Sequence, residues 1–145
     1  MILFCDTSAL MKLFVQEQHS ANMQAAFQSA SLVAVSQITW VEMCAALALK
    51  QRTRQIDAPQ TAQALQELHQ EWGGYSQLAV DSTLITSAGD LAQSFGLRAY
   101  DSLQLASALR VHSQVGAAMA FCCFDKQLKT AAGALGIRIQ TTQTL

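Results

Sequence analysis

Short apolar runs alternate with helical stretches along the chain, and this alternation constrains the fold more than any other feature. The predicted strands cover residues 2–5, 31–35, 77–80, 117–124 and 137–140. Because parallel strands are joined by crossover helices, the order predicts an α/β fold, a three-layer α/β/α sandwich around a parallel sheet. The 145 residues suit one hydrophobic core, so we expect a single domain over residues 1–145.

Capping residues mark where several helices begin or end: Thr7 or Ser8 for residues 8–17, Asp57 with Pro59, and Asp81 for a helix that ends at Gly96. The helix near residues 38–49 has an apolar stripe made of Ile38, Val41, Ala45 and Leu49. We expect this stripe to be the buried face of its helix.

The composition of the chain excludes several classes of protein. Hydrophobic residues make up 51% of the chain and charged residues 13%, which excludes a disordered chain. The longest apolar runs are far shorter than the roughly 20 residues that cross a bilayer, and no basic segment precedes a long apolar stretch. We therefore predict a cytoplasmic protein with no membrane contact. The net charge of -1 argues against a purely electrostatic DNA-binding module.

The four cysteines lie within apolar segments, at Cys5, Cys44, Cys122 and Cys123. Cys122 and Cys123 are adjacent in a predicted strand and point to opposite sides of it. We therefore expect reduced thiols in the core rather than disulfides. The absence of a CxxC pair and the isolated histidines argue against a structural zinc site.

Four acidic residues occupy positions that an ordinary solvated surface does not explain: Asp6, Glu42, Asp101 and Asp125. Each of the three aspartates can be a helix N-cap, which is a sufficient explanation for any one of them. Glu42 can complete a capping box with Thr39. The alternative is that all four form one cluster.

The predicted sheet favours the cluster, since Asp6 and Asp125 both follow strands at their carboxyl ends, where open parallel sheets bind ligands. Two carboxylates about 4 Å apart repel by roughly 4 kcal/mol at an effective dielectric constant of 20, so a cluster requires protonation or a cation. Oxygen ligands without histidine or cysteine favour Mg²⁺ or Mn²⁺. Such an ion activates water for phosphodiester hydrolysis.

Four segments match a known family in order and approximate spacing: DTSALMKLF, SQITWVEMCAAL, GLRAYDSLQLASAL and CCFDKQL. Together they resemble the four acidic motifs of PIN-domain ribonucleases, and the chain is most similar to the VapC-type toxins of bacterial toxin–antitoxin pairs. This resemblance implies a five-stranded parallel sheet in the order 3-2-1-4-5, which places the first and fourth strands side by side.

The resemblance also implies roles for individual residues. Asp6, Glu42, Asp101 and Asp125 match the catalytic, metal-coordinating acids of the family. Ser8 matches a hydroxyl that helps arrange the site, and Thr7 matches a family threonine that can also be a cap. Many relatives have a histidine three residues after the third acid, where this chain has Gln104, so the role of that histidine does not transfer.

We therefore predict a metal-dependent endoribonuclease whose substrate is RNA. Four basic residues lie next to the acidic motifs and are candidate phosphate contacts: Lys12, Arg98, Lys126 and Lys129. The basic run Lys50, Arg52 and Arg54 is explained by the dipole of a helix end. Relatives of the VapC type form homodimers and bind a cognate antitoxin, so the resemblance implies both partners here.

Three alternatives stay open from the sequence. One is a PIN nuclease with no antitoxin, and another is a binding module that kept the fold without catalysis. The third is an α/β phosphotransferase with Asp6 as nucleophile. That class commonly has a second acid two residues further on, where this chain has Ser8.

Overall fold

The computed structural model describes residues 1–140. The described strands are β1 (Ile2–Cys5), β2 (Leu32–Ser36), β3 (Ser76–Leu78) and β4 (Met119–Cys122). The helices are α1 (Thr7–Met11), α2 (Ser20–Ser29), α3 (Ile38–Arg52), α4 (Ala58–Trp72), α5 (Ser82–Phe95), α6 (Ala99–Val115) and α7 (Lys126–Ala134). A 3-10 turn, Gly116–Ala118, precedes β4.

The strands form one parallel sheet in the order β3-β2-β1-β4, so β1 and β4 are neighbours as predicted. The prediction of five strands is wrong for the described part of the chain, which has four. Residues 137–140, predicted as the fifth strand, form a single parallel bridge between Ile139 and Phe121. The backbone of Phe121 accounts for both hydrogen bonds of this bridge, so pairing does not extend along β4.

Helices cover both faces of the sheet, as a three-layer arrangement requires. Alternate strand residues point to opposite sides: Phe4 and Phe121 pack with α5, α6 and α7, with ring centroids 5.8 Å apart. Leu3 and Cys5 pack on the other side with α1 to α4. Period-two alternation within short strands therefore supplies two hydrophobic cores from one sheet.

Three of the four cysteines lie in the core as predicted, whereas Cys44 is only partly buried. Cys122 and Cys123 belong to the cores on opposite faces of the sheet, and all four cysteines of the described chain are free thiols. In residues 1–140, none of the helices is both long and apolar enough to span a membrane.

The buried face of α3 differs from the predicted stripe. Val41 and Leu49 are 54% and 52% exposed, whereas the buried residues of α3 are Thr39, Met43 and Leu47. Apolar residues occupy nearly every side of this helix, so periodicity alone does not identify the face that meets the sheet. The core-facing prediction for the stripe is wrong.

The capping predictions hold for α4 and α5 and fail for α1. Asp57 forms a capping box with Gln60, Asp81 caps α5, and Gly96 ends α5 with a positive φ of 65°. The first helix is only Thr7–Met11 rather than 8–17, and its cap is Asp6 rather than Thr7 or Ser8. Its shortness leaves residues 12–19 as a loop beside the carboxyl edge of the sheet.

Candidate active site

Asp6 lies at the carboxyl end of β1 and is the N-cap of α1. Its Oδ1 accepts hydrogen bonds from Ser8 Oγ at 2.7 Å and from the backbone N–H of Ala9 at 2.9 Å. The residue is 5% exposed. Both bonds use Oδ1, so capping leaves Oδ2 available, and the cap and ligand interpretations of Asp6 are compatible.

The environment of Asp6 favours its neutral form. Burial raises the pKa of its carboxyl group from 3.8 to about 7. Hydrogen bonds from Ala9 and Ser8 lower this pKa, whereas the negative charges of Glu42 and Asp101 raise it. Asp6 therefore interacts electrostatically with two of the other predicted acids.

Two hydrogen bonds connect the end of β1 to the end of β4. The backbone N–H of Asp6 donates to the carbonyl of Cys122 at 3.1 Å. Ser8 Oγ accepts from the backbone N–H of Phe124, also at 3.1 Å. Ser8 therefore contacts both Asp6 and the segment that leads into Asp125.

Glu42 lies on α3 and is held by two donors from other elements. Its Oε1 accepts from Thr7 Oγ1 at 2.9 Å and from Gln104 Nε2 at 2.7 Å. Gln104 Nε2 is also 2.8 Å from Thr39 Oγ1. The N-cap of α3 is Gln37, with Thr39 inside the helix, so Glu42 does not complete a capping box. Its second oxygen, Oε2, is left available.

The remaining two acids lie at the starts of α6 and α7. Asp101 is in the first turn of α6, whose N-cap is Arg98, and its Oδ2 accepts from Arg98 Nε at 3.2 Å. Asp125 is the N-cap of α7, and its Oδ1 accepts from the backbone N–H of Leu128 at 2.8 Å. The N-cap alternative therefore holds for Asp125 and fails for Asp101.

One cleft of about 380 Å³ brings the four acids together. Other predicted site residues that line it are Thr7, Ser8, Lys12 and Arg98. Lys126 and Lys129 are not among its lining residues, and Lys129 Nζ lies instead 5.5 Å from the ring centroid of Phe124. The structure thus gathers the acids but only two of the four predicted basic contacts.

The acids share the cleft without forming a compact ligand group. Within residues 1–140, no three side chains of histidine, cysteine, aspartate or glutamate are close enough together to hold a metal ion. Four like charges repel one another, so a common cation is what would draw them closer. The free oxygens of Asp6 and Glu42 are hard donors of the type that Mg²⁺ and Mn²⁺ prefer.

Three polar residues that line the cleft were not predicted as site residues: Glu17, Lys50 and Gln104. Gln104 is 2% exposed, and its Oε1 has no hydrogen-bond partner among the described residues. A polar residue between Leu103 and Leu105 in a mostly buried helix was an available signal for it. Glu17 and Lys50 gave no such signal, since they are 33 residues apart.

Comparisons with known proteins identify the family of the chain. The sequence profile of the PIN domain matches residues 3–134. The chain belongs to the PIN domain family. A curated relative, Ribonuclease VapC45 of Mycobacterium tuberculosis, is 28% identical over 142 residues, which cover 98% of this chain and 96% of the relative.

Solved structures support the PIN domain fold. FitAcB from Neisseria gonorrhoeae has a TM-score of 0.68 at 20% identity, with complete coverage of both chains (100%). A toxin–antitoxin complex from Klebsiella pneumoniae has a TM-score of 0.64 at 21% identity, also with 100% coverage of both chains. At these identities the likeness concerns the fold alone.

Proposed function

We propose that this PIN domain is a divalent-metal-dependent endoribonuclease that hydrolyses RNA phosphodiester bonds, and that it is the toxin of a toxin–antitoxin pair. The observation that carries the proposal is the meeting of Asp6, Glu42, Asp101 and Asp125 in one cleft, although each comes from a different element. The curated relative bears the name ribonuclease and matches over nearly the whole chain, which supports the same activity.

The donor chemistry of the cleft fits Mg²⁺ or Mn²⁺. Asp6, Glu42, Asp101 and Asp125 would hold the ion through carboxylate oxygens, with no nitrogen or sulfur ligand. When bound, the ion supplies an activated water and offsets negative charge on the attacked phosphate. A cation beside Asp6 also favours its ionised carboxylate, against the effect of burial.

The protein residues have distinct tasks in this proposal. Thr7 and Gln104 fix Oε1 of Glu42 by donating hydrogen bonds, and Ser8 and Ala9 fix Oδ1 of Asp6. Each of these two carboxylates is thus held through one oxygen and keeps its other oxygen available for a ligand. Lys12 and Arg98 are the basic residues in the cleft lining proposed to contact RNA phosphates.

A cleavage assay tests the proposal. Purified protein should cut single-stranded RNA with Mg²⁺ or Mn²⁺ and lose this activity with a chelator. Asp6→Asn should abolish cleavage, whereas Asp90→Asn, an exposed aspartate on α5, should not. If Asp6→Asn cleaves as fast as the parent protein, the activity has another origin and the proposal fails.

The partner proposals rest on the resemblance to VapC-type toxins. We propose a homodimer in the cytoplasm, inhibited by a cognate antitoxin. The exposed apolar stripe of Val41, Ala45 and Leu49 on α3 is a surface suited to a second copy of the chain. Co-expression with the protein encoded by the neighbouring gene tests the antitoxin: a cognate antitoxin should co-purify and stop RNA cleavage.

A further inference from the structure

The geometry points to a second anion-binding subsite in the same cleft, formed by Lys12, Glu17 and Lys50. Its ligand is a backbone phosphate of single-stranded RNA that flanks the phosphate being cut. The inference rests on the proposed ribonuclease function and adds a substrate-binding element to it.

Three separate segments meet at this subsite. Lys12 follows α1, Glu17 lies in the loop before α2, and Lys50 is in the last turn of α3. Glu17 Oε1 is 3.1 Å from Lys12 Nζ, and Glu17 Oε2 is 3.0 Å from Lys50 Nζ. One carboxylate therefore holds two ammonium groups side by side at the cleft wall.

Glu17 is itself held in place. Its backbone N–H donates to Ser20 Oγ at 3.0 Å, and Ser20 Oγ donates to the carbonyl of Val15 at 3.2 Å. Ser20 is 1% exposed, so this loop is anchored by a buried side chain. The lysine pair is thus organised by the fold rather than by two freely moving surface side chains.

The charge of the cluster suits a phosphate. Two ammonium groups and one carboxylate leave a net positive charge, and each ammonium has three protons, of which Glu17 takes one. The Lys12 and Lys50 side chains are only 11% and 20% exposed, and both line the cleft. A polyanion entering a cleft that holds four acidic groups needs such positive charge beside them.

The helix dipole does not account for Lys50. Arg52 lies in the same last turn of α3, is exposed and forms no ion pair within the described chain. A favourable interaction with the helix end is available to both residues, yet only Lys50 is directed to Glu17 and the cleft. Arg52 is therefore a matched control.

The test measures binding of a short fluorescent single-stranded RNA by anisotropy over a range of NaCl concentrations, with chelator present and in the Asp6→Asn background. Lys50→Gln should weaken binding about threefold to tenfold and reduce the slope of log K against log salt by about 0.7. Arg52→Gln should change neither quantity, and Lys50→Arg should preserve the slope. Far-UV circular dichroism verifies folding of each variant.

Replacing Glu17 distinguishes a positioning role from a purely electrostatic one. Glu17→Gln removes a negative charge, so a simple charge count predicts tighter RNA binding. If Glu17 positions the lysines, the variant instead raises KM for RNA cleavage while kcat stays near the parent value. Tighter binding or an unchanged KM would overturn the positioning role.

The outcomes separate this subsite from the ribonuclease proposal. If the parent protein cleaves RNA but Lys50→Gln binds RNA with parental affinity and salt slope, the subsite is wrong and an acidic protein segment becomes the candidate ligand. If the parent protein cleaves no RNA with either metal, the ribonuclease proposal fails, whatever the anisotropy gives. If Lys50→Gln lowers the RNA affinity and the salt slope while Arg52→Gln changes neither, the subsite is supported.

Discussion

At the scale of single residues, Asp6 is the N-cap of α1 and the proposed metal ligand, and its burial has a cost in stability. Its carboxyl group is buried, yet its ionised form is the one that binds a cation. Because its pKa rises from 3.8 to about 7 on folding, the folded state binds a proton more tightly than the unfolded chain does. The contribution of Asp6 to the free energy of unfolding therefore falls as the pH rises from 3.8 towards 7.

This linkage predicts the behaviour of Asp6→Asn. Asparagine is a good N-cap and carries no charge, so the variant should be more stable than the parent at about pH 8 without metal. The gain is up to about 4 kcal/mol, at about 1.4 kcal/mol per pKa unit, and should nearly vanish at about pH 4. Urea unfolding with chelator measures it. A variant less stable than the parent at the higher pH would contradict the prediction.

Gln104 is the second residue with a testable role. Gln104→Leu removes the donor that Glu42 and Thr39 share. We expect Mn²⁺ affinity, measured by calorimetry, to fall about 10- to 100-fold, the usual effect of losing a partner behind a ligand. Gln114→Leu, exposed on the same helix, is the control. Equal affinities in the two variants would mean that Gln104 does not orient Glu42.

The sequence could predict that the four acids meet, and it also singled out Ser8 and Thr7, which bond to Asp6 and Glu42. It did not predict the contact of Gln104 with Glu42. Asp6 and Asp125 follow apolar strands, so their place at the sheet edge follows from local pattern and topology. The partners of Gln104 include Glu42 and Thr7, at sequence separations of 62 and 97 residues. Contacts of that range depend on how α3 and α6 pack against the sheet, which no local pattern encodes.

At the scale of elements, α3 shows where periodicity fails. Leu47→Ala should lower the free energy of unfolding by about 2 to 5 kcal/mol, because Leu47 is fully buried and its removal leaves a cavity. Leu49→Ala, two residues away and 52% exposed, should change it by about 0.5 kcal/mol or less. Denaturant unfolding compares them, and similar losses would restore the predicted stripe as the buried face.

Helix ends were more predictable than helix faces. Asp57, Asp81 and Gly96 act through bonds within a few residues or through their own backbone angles, so local sequence determines them. The prediction of a fifth strand was wrong because a strand depends on residues far away in the sequence. Residues 137–140 are apolar enough for a strand, but strand length depends on a partner, and Phe121 alone pairs with them.

At the scale of the whole molecule, the exposed stripe bears on assembly. We expect light scattering to give a mass about twice the 15.7 kDa of the chain. Val41→Glu should reduce this mass to that of one chain, because a charge would be buried in an apolar contact. Gln51→Glu, exposed on the same helix, should leave it unchanged. A single-chain mass for the parent would exclude the dimer.

The bonds that tie Asp6 to Cys122 and Ser8 to Phe124 also determine how long the site persists. They join the ends of two adjacent strands, β1 inside the described sheet and β4 at its edge, so these strand ends cannot separate unless the pairing of β1 with β4 opens. In hydrogen-exchange terms, the amide of Asp6 should exchange through opening of this strand pair, which costs more free energy than the local openings that expose amides in the loop over residues 12–19. Asp6 and the segment that leads into Asp125 would then keep their relative positions while the loop over residues 12–19 moves.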